Sequence, residues 1–186
     1  MKRLFIAVDI DLSNDFKALT RHLQFELRND SVVWIKSELQ HLTLRFLGET
    51  SDAKIDSLVN AMLNAAKTTH PFELQLDKIG VFGSKYSPET LWYGFSDFSL
   101  FKNLFNKLEE ELVQIGFQKN YGNFVPHITV GRINNIDNKK RFWKTIEILQ
   151  PKFNQTIPVN HFKLIQSKLN CDGPRYKTIY EIKING

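Results

Sequence analysis

Two stretches of this chain, 86 residues apart, read the same way: His41-Leu42-Thr43-Leu44 and His127-Ile128-Thr129-Val130. Each lies in a run that alternates in polarity, so each is expected on a strand whose successive side chains point to opposite faces. Imidazole and hydroxyl then share one face, and the apolar pair shares the other. The surroundings repeat as well. Residues 4–10 (LFIAVDI) read as a strand, after which Ser13 caps a helix with apolar positions at Phe16, Leu19, Leu23 and Leu27. The His41 strand covers 39–47, Ser51 caps a second helix through Ile55, Leu58, Val59, Met62 and Leu63, and 72–76 closes the unit as a strand. The same order returns with a strand at 91–95, a helix opened by Ser99 and stopped by Gly116, and the His127 strand at 124–130. A helix after Asp137 and strands at 162–166 and 178–184 complete it.

Two tandem copies make no solenoid. They predict one domain over 1–186 with an internal repeat of about 1–90 and 91–186. The fold class is α+β: two pseudo-symmetric lobes from a duplicated β-α-β-α-β unit, with mainly antiparallel sheets facing a central cleft and helices outside.

Fifteen Phe, five Tyr and three Trp in 186 residues supply a real core, which excludes a disordered chain. No apolar run exceeds five residues, far short of a membrane-spanning helix. The opening MKRLFIAVD is basic and then apolar, but Asp9 ends the apolar run, so it reads as a first strand and not as an export signal. Cys171 stands alone, which fits a reducing cytoplasm and an inert loop thiol. Charge is uneven: residues 1–117 carry 13 basic and 16 acidic side chains, residues 118–186 carry 12 and 4. A basic half fits an anionic partner such as a nucleic acid or nucleotide, and it fits a solvated Lys- and Asn-rich surface equally well.

The chemistry lies in the duplicated motif. His22, His70 and His161 lack the Thr partner and read as surface or packing residues. Zinc catalysis wants three protein ligands, and no His, Asp or Glu of suitable spacing joins either motif, so neither metal nor cofactor is expected. Displacement at phosphorus runs in line, with the entering oxygen needing a base and the leaving oxygen an acid. Two imidazoles supply both near neutral pH. The Thr43 and Thr129 hydroxyls can hydrogen-bond the non-bridging oxygens. A cyclic phosphodiester suits this arrangement.

These residues resemble the two-histidine (2H) phosphoesterase superfamily, and within it the bacterial and archaeal RNA 2′,3′-cyclic phosphodiesterases, also called 2′-5′ RNA ligases. The resemblance runs from Arg3-Leu-Phe-Ile-Ala-Val8 through Trp34-Ile35-Lys36 and His41-Leu-Thr-Leu-Arg-Phe-Leu-Gly-Glu49. It continues through Pro126-His-Ile-Thr-Val-Gly-Arg132 to Ser167 and Gly173-Pro174-Arg175-Tyr176. It implies His41 as proton donor, His127 as proton acceptor, and Thr43, Thr129 and Arg132 as phosphate-binding residues. It also implies opening of a 2′,3′-cyclic phosphate end to a 2′-phosphate, with ATP-independent 2′-5′ ligation as the reverse.

Arg132 stands five residues beyond His127 and so has the wrong parity for its face. Either the strand ends or bulges near Gly131, or Arg132 reaches the site from its edge. Arg45 shares the face of His41 by alternation and either contacts substrate phosphate or forms a salt bridge at the cleft rim. Trp34 and Tyr176 either stack on a base or pack. Lys139, Lys140 and Arg141 at a helix start read as a solvated face. The expectation is a cytoplasmic, cofactor-free monomer acting on RNA or oligonucleotide ends, with no membrane partner. Its rivals are the same site on another cyclic or 2′-5′-linked nucleotide, and a non-catalytic RNA-binding module.

Overall fold

A computed structural model describes residues 1–171 and 173–186. In chain order the elements are β1 (Lys2–Asp9), α1 (Asn14–Glu26), β2 (Ser31–Trp34), β3 (His41–Thr50), α2 (Ile55–Lys67), β4 (Phe72–Gly83) and β5 (Pro88–Phe95). There follow α3 (Ser99–Gln114), β6 (His127–Asn135), α4 (Lys139–Ile148), β7 (Gln155–Val159), β8 (His161–Asn170) and β9 (Gly173–Lys183). The strands form one curled antiparallel sheet in the order β7-β4-β5-β6-β3-β1-β8-β9, with β2 also paired to β6. The α+β class and its antiparallel, two-lobed plan stand, the two lobes being the halves of this single sheet.

The halves meet where β3 pairs with β6 at Leu42 and Ile128. Those residues are 86 apart and so are equivalents in the repeat. Two equivalents can face each other only on the pseudo-two-fold axis itself. Outward from that axis β1 matches β5, β8 matches β4 and β9 matches β7.

The first helix of each repeat crosses to the opposite half. Helix α1, capped by Ser13 as expected, packs Phe16 edge-on against Tyr93 of β5 at 5.0 Å. Its Thr20 hydroxyl lies 2.8 Å from the Tyr93 hydroxyl, and the Ser13 amide donates to Gln155 of β7 at 2.8 Å. In the same way α3 reaches Arg45 of β3 through Glu109 and Asn64 of α2 through Glu111. Thus α2 and α3 cover one half and α1 and α4 the other. Gln150, just past α4, ties it to β4 by bonds with both the amide and the carbonyl of Ile79.

One large apolar cluster lies between the helices and the sheet, including Leu42, Leu44, Ile128 and Val130 from the two histidine strands. The other face of the sheet is the cleft, with a small cluster of Phe5, Ala7 and Ile165 against Tyr176. No helix among the described residues is long and apolar enough to cross a membrane.

Candidate active site

The pairing of Leu42 with Ile128 sets His41 beside Thr129 and Thr43 beside His127. Both histidines and both threonines therefore occupy one patch of the cleft face, astride the axis. All four are half-buried, while the alternate residues Leu42, Leu44, Ile128 and Val130 are buried beneath them.

Each imidazole is held the same way. Nδ1 of His41 donates to the Leu39 carbonyl at 2.8 Å, and Nδ1 of His127 donates to the Val125 carbonyl at 2.8 Å. A carbonyl only accepts, so Nδ1 carries the hydrogen in both rings and Nε2 is left for chemistry. Aromatic rings wall both. Phe5 lies 4.8 Å and Tyr176 5.3 Å from the His41 ring, and Phe82 lies 4.7 Å and Trp92 6.2 Å from the His127 ring. Trp92 lies flat over two glycines. A Cβ on Gly80 would fall 2.0 Å from its ring and one on Gly94 2.4 Å, so neither position admits a side chain while the indole stays in place.

Burial pushes both imidazoles below their ordinary value. For His41 the hydrogen bond to Leu39 opposes the shift, the charge of His127 adds to it and Asp9 opposes it. For His127 the hydrogen bond to Val125 opposes burial and the Arg132 guanidinium adds to it. The electrostatics are therefore asymmetric: a carboxylate attends one ring and a guanidinium the other. Asp9 lies across from His41 in the β1–β3 pairing, takes an ion pair from Lys163 and sits 3.9 Å from His161 Nε2. Its equivalent 87 residues on is the uncharged Ser96.

Strand bulges decide which cationic residues join the site. On β6 the pairing with β5 steps from Thr129–Trp92 to Gly131–Leu91, which leaves Val130 out of step. That extra residue restores Arg132, paired to Thr90, to the histidine face. Burial also raises the Tyr176 phenol, and Arg132 and Arg3 oppose that shift from nearby.

Strand β3 bulges at the equivalent place, stepping from Thr43–Ala7 to Arg45–Ile6. Here the effect is opposite. Arg45 is carried off the histidine face and pairs with Glu109 at 2.6 Å, the two side chains being 17% and 6% exposed. It also donates to the Phe46 and Gln118 carbonyls. Simple alternation had offered Arg45 as a substrate contact or a rim salt bridge; the bulge excludes the contact and leaves a salt bridge into α3.

The bulge also brings Phe46 onto the cleft face, where it is 63% exposed and 5.9 Å from Phe5. Phe46 is the repeat equivalent of Arg132, and strict alternation hides both. Lys78 is a second residue the sequence did not offer. It pairs with Gly94 beside His127, and in the other half Lys163 pairs with Ala7 beside Thr43. Only the register reveals it. Trp34 touches neither imidazole; it packs partly against the core and lines a hollow beside α1.

A profile described as LigT like Phosphoesterase matches residues 8–93 and 99–176, two stretches that follow the two sequence repeats. An RNA 2′,3′-cyclic phosphodiesterase of Thermotoga maritima is 32% identical over 186 residues, covering 99% of this chain and 96% of that protein. A protein of the same description from Methanocaldococcus jannaschii is 31% identical over 179 residues, covering 96% and 99%. Among solved structures, E. coli LigT complexed with 3′-AMP superposes with a TM-score of 0.77 at 25% identity, covering 100% and 99% of the two chains. Profile, relatives and fold agree over nearly the whole length, and the chain belongs to the LigT-like phosphoesterase family.

Proposed function

We propose that this chain is an RNA 2′,3′-cyclic phosphodiesterase that opens the cyclic phosphate at an RNA end to a 2′-phosphomonoester. The observation that carries the reading is the pair of imidazoles at equivalent positions, each tethered through Nδ1 and each with Nε2 left free on the cleft face. The relatives' described activity supports the substrate class.

In this reading His127 Nε2 takes a proton from water as the water oxygen bonds to phosphorus. The bond from phosphorus to the 3′ oxygen breaks in line, and His41 Nε2–H protonates that oxygen. Thr43, Thr129 and Arg132 meet the non-bridging oxygens, where charge grows. The roles follow the charges: Asp9 favours the protonated form of His41, and Arg132 favours the neutral form of His127. Phe5, Phe46 and Tyr176 give the His41 side an aromatic wall for the terminal nucleoside. All these groups come from one chain, which supports a monomer, and the lone cysteine supports the cytoplasm as its place.

The decisive assay incubates the purified protein with RNA bearing a 2′,3′-cyclic phosphate and identifies the product isomer. Accumulation of the 2′-phosphate, undiminished by EDTA, is the expected result; a 3′-phosphate product reverses the direction of cleavage. A panel including 2′-5′-linked oligonucleotides and small cyclic nucleotides ranks the alternatives.

The pH dependence has a definite sign. Because burial lowers both imidazoles, the bell-shaped rate profile should peak on the acid side of the ordinary imidazole value. Asp9→Asn removes the charge that holds His41 up, so the alkaline limb should move to lower pH. Arg132→Gln removes the charge that holds His127 down, so the acid limb should move to higher pH. If Asp9→Asn instead moves the acid limb to lower pH and Arg132→Gln the alkaline limb to higher pH, the two histidine roles are exchanged.

A further inference from the structure

The segment joining β2 to β3 stands at the end of the sheet where β1 runs out. On its cleft side lies a hollow of about 350 Å³ that includes His41 and Tyr176. On its other side, against α1, lies a second hollow of about 400 Å³, lined by Lys17, Arg21, Gln24, Trp34 and Lys36 among others. Ser37 and Gln40 line both, so the two adjoin around the sheet end.

Among the described residues no carboxylate lines the second hollow. Lys17 is paired with Asp11, whereas Arg21 and Lys36 have no ion-pair partner among the described residues. Two uncompensated cations beside a half-buried indole are the combination that meets a phosphodiester and a base of a single strand.

The pseudo-symmetry accounts for the opening. The apolar positions of α1 match those of α3 at a spacing of 85, Phe16 with Phe101, Leu19 with Leu104 and Leu23 with Leu108, which sets Gln24 against Glu109. On the sheet Gly131 stands where Arg45 does, 86 residues on. In one half the place is filled by the Arg45–Glu109 ion pair. In the other half both partners are missing. Trp34 lies over Gly131 instead, and a Cβ there would come 2.8 Å from Val32 and 3.5 Å from the indole.

We propose that this hollow holds the RNA chain just upstream of the terminal nucleotide, with its phosphodiester against Arg21 and Lys36 and its base against the open part of Trp34. The proposal rests on the activity proposed above and adds a second nucleotide subsite to it.

The test compares wild type with Arg21→Ala/Lys36→Ala on a cyclic-ended RNA octamer and on a 2′,3′-cyclic mononucleotide, which is too short to reach the hollow. The affinity of a 5′-labelled single-stranded octamer is read in parallel by fluorescence anisotropy. KM for the octamer should rise roughly tenfold at unchanged kcat, octamer affinity should fall to match, and mononucleotide kinetics should stay as in wild type. The salt slope of log affinity should shrink by about 0.7 for each phosphate contact removed. An equal loss on both substrates, or unchanged octamer affinity, overturns the subsite. A wild-type protein that opens neither substrate overturns the activity instead, and the affinity measurement then decides the hollow by itself.

Discussion

His41→Ala and His127→Ala are each expected to lower kcat on a cyclic-ended RNA by about 10³-fold, within the range that a positioned acid or base contributes. Neither substitution opens the main core, because both rings stand on the cleft face and the buried residues of their strands, Leu42, Leu44, Ile128 and Val130, are untouched. Far-ultraviolet circular dichroism and the melting curve should therefore stay close to wild type. The double variant should be little worse than either single one, since acid and base act on one transition state. A substrate with a leaving group that needs no proton, such as a nitrophenyl ester, separates the roles. His41→Ala should recover most of its rate on it, and His127→Ala should not. A loss below tenfold in either single variant would remove that residue from the chemistry.

Glu109→Ala should lower stability by about 3 kcal/mol, because breaking a buried ion pair strands the remaining charge. Arg45 would keep its bonds to the Phe46 and Gln118 carbonyls but lose its Glu109 carboxylate, and the Asn120 amide would lose its acceptor as well. For a chain of this length such a loss corresponds to a fall in Tm of roughly 6–12 °C. Added salt should change that difference little, since the pair is largely shielded from solvent. A melting point within a degree of wild type would mean that Arg45 finds water or another partner at no cost.

The duplicated plan was legible because each half repeats both its apolar spacing and its motif. Ser13 marks the start of α1 by its own capping bond, whereas Ser99 is only the first residue of α3 behind Phe98, and Ser51 makes no capping bond, because α2 begins at Ile55. Strands β2 and β7 escaped notice because they run only four and five residues, too short for alternation to register, and Pro158 in β7 suits an edge that sequence pattern cannot locate. The positions of Arg45, Phe46 and Arg132 depend on single-residue bulges, which reverse every side chain beyond them. Gly131 gave a hint of one bulge; nothing local marked the other. Lys78 joins the site through pairing with a distant strand, and that information is absent from its own neighbours. The crossing of α1 and α3 to opposite halves is a choice of connection that periodicity leaves open.

That crossing bears on how the polypeptide comes off the ribosome. When β1, α1 and β3 have emerged, the surface that will receive Phe16, in particular Tyr93 of β5, has yet to be synthesised. The greasy stripe of α1 must wait for more than forty further residues, exposed to chaperones or to a second nascent copy offering the same surface. Once complete, neither portion can unfold without evicting a helix from its neighbour, so a calorimeter should record one melting event for this two-lobed molecule.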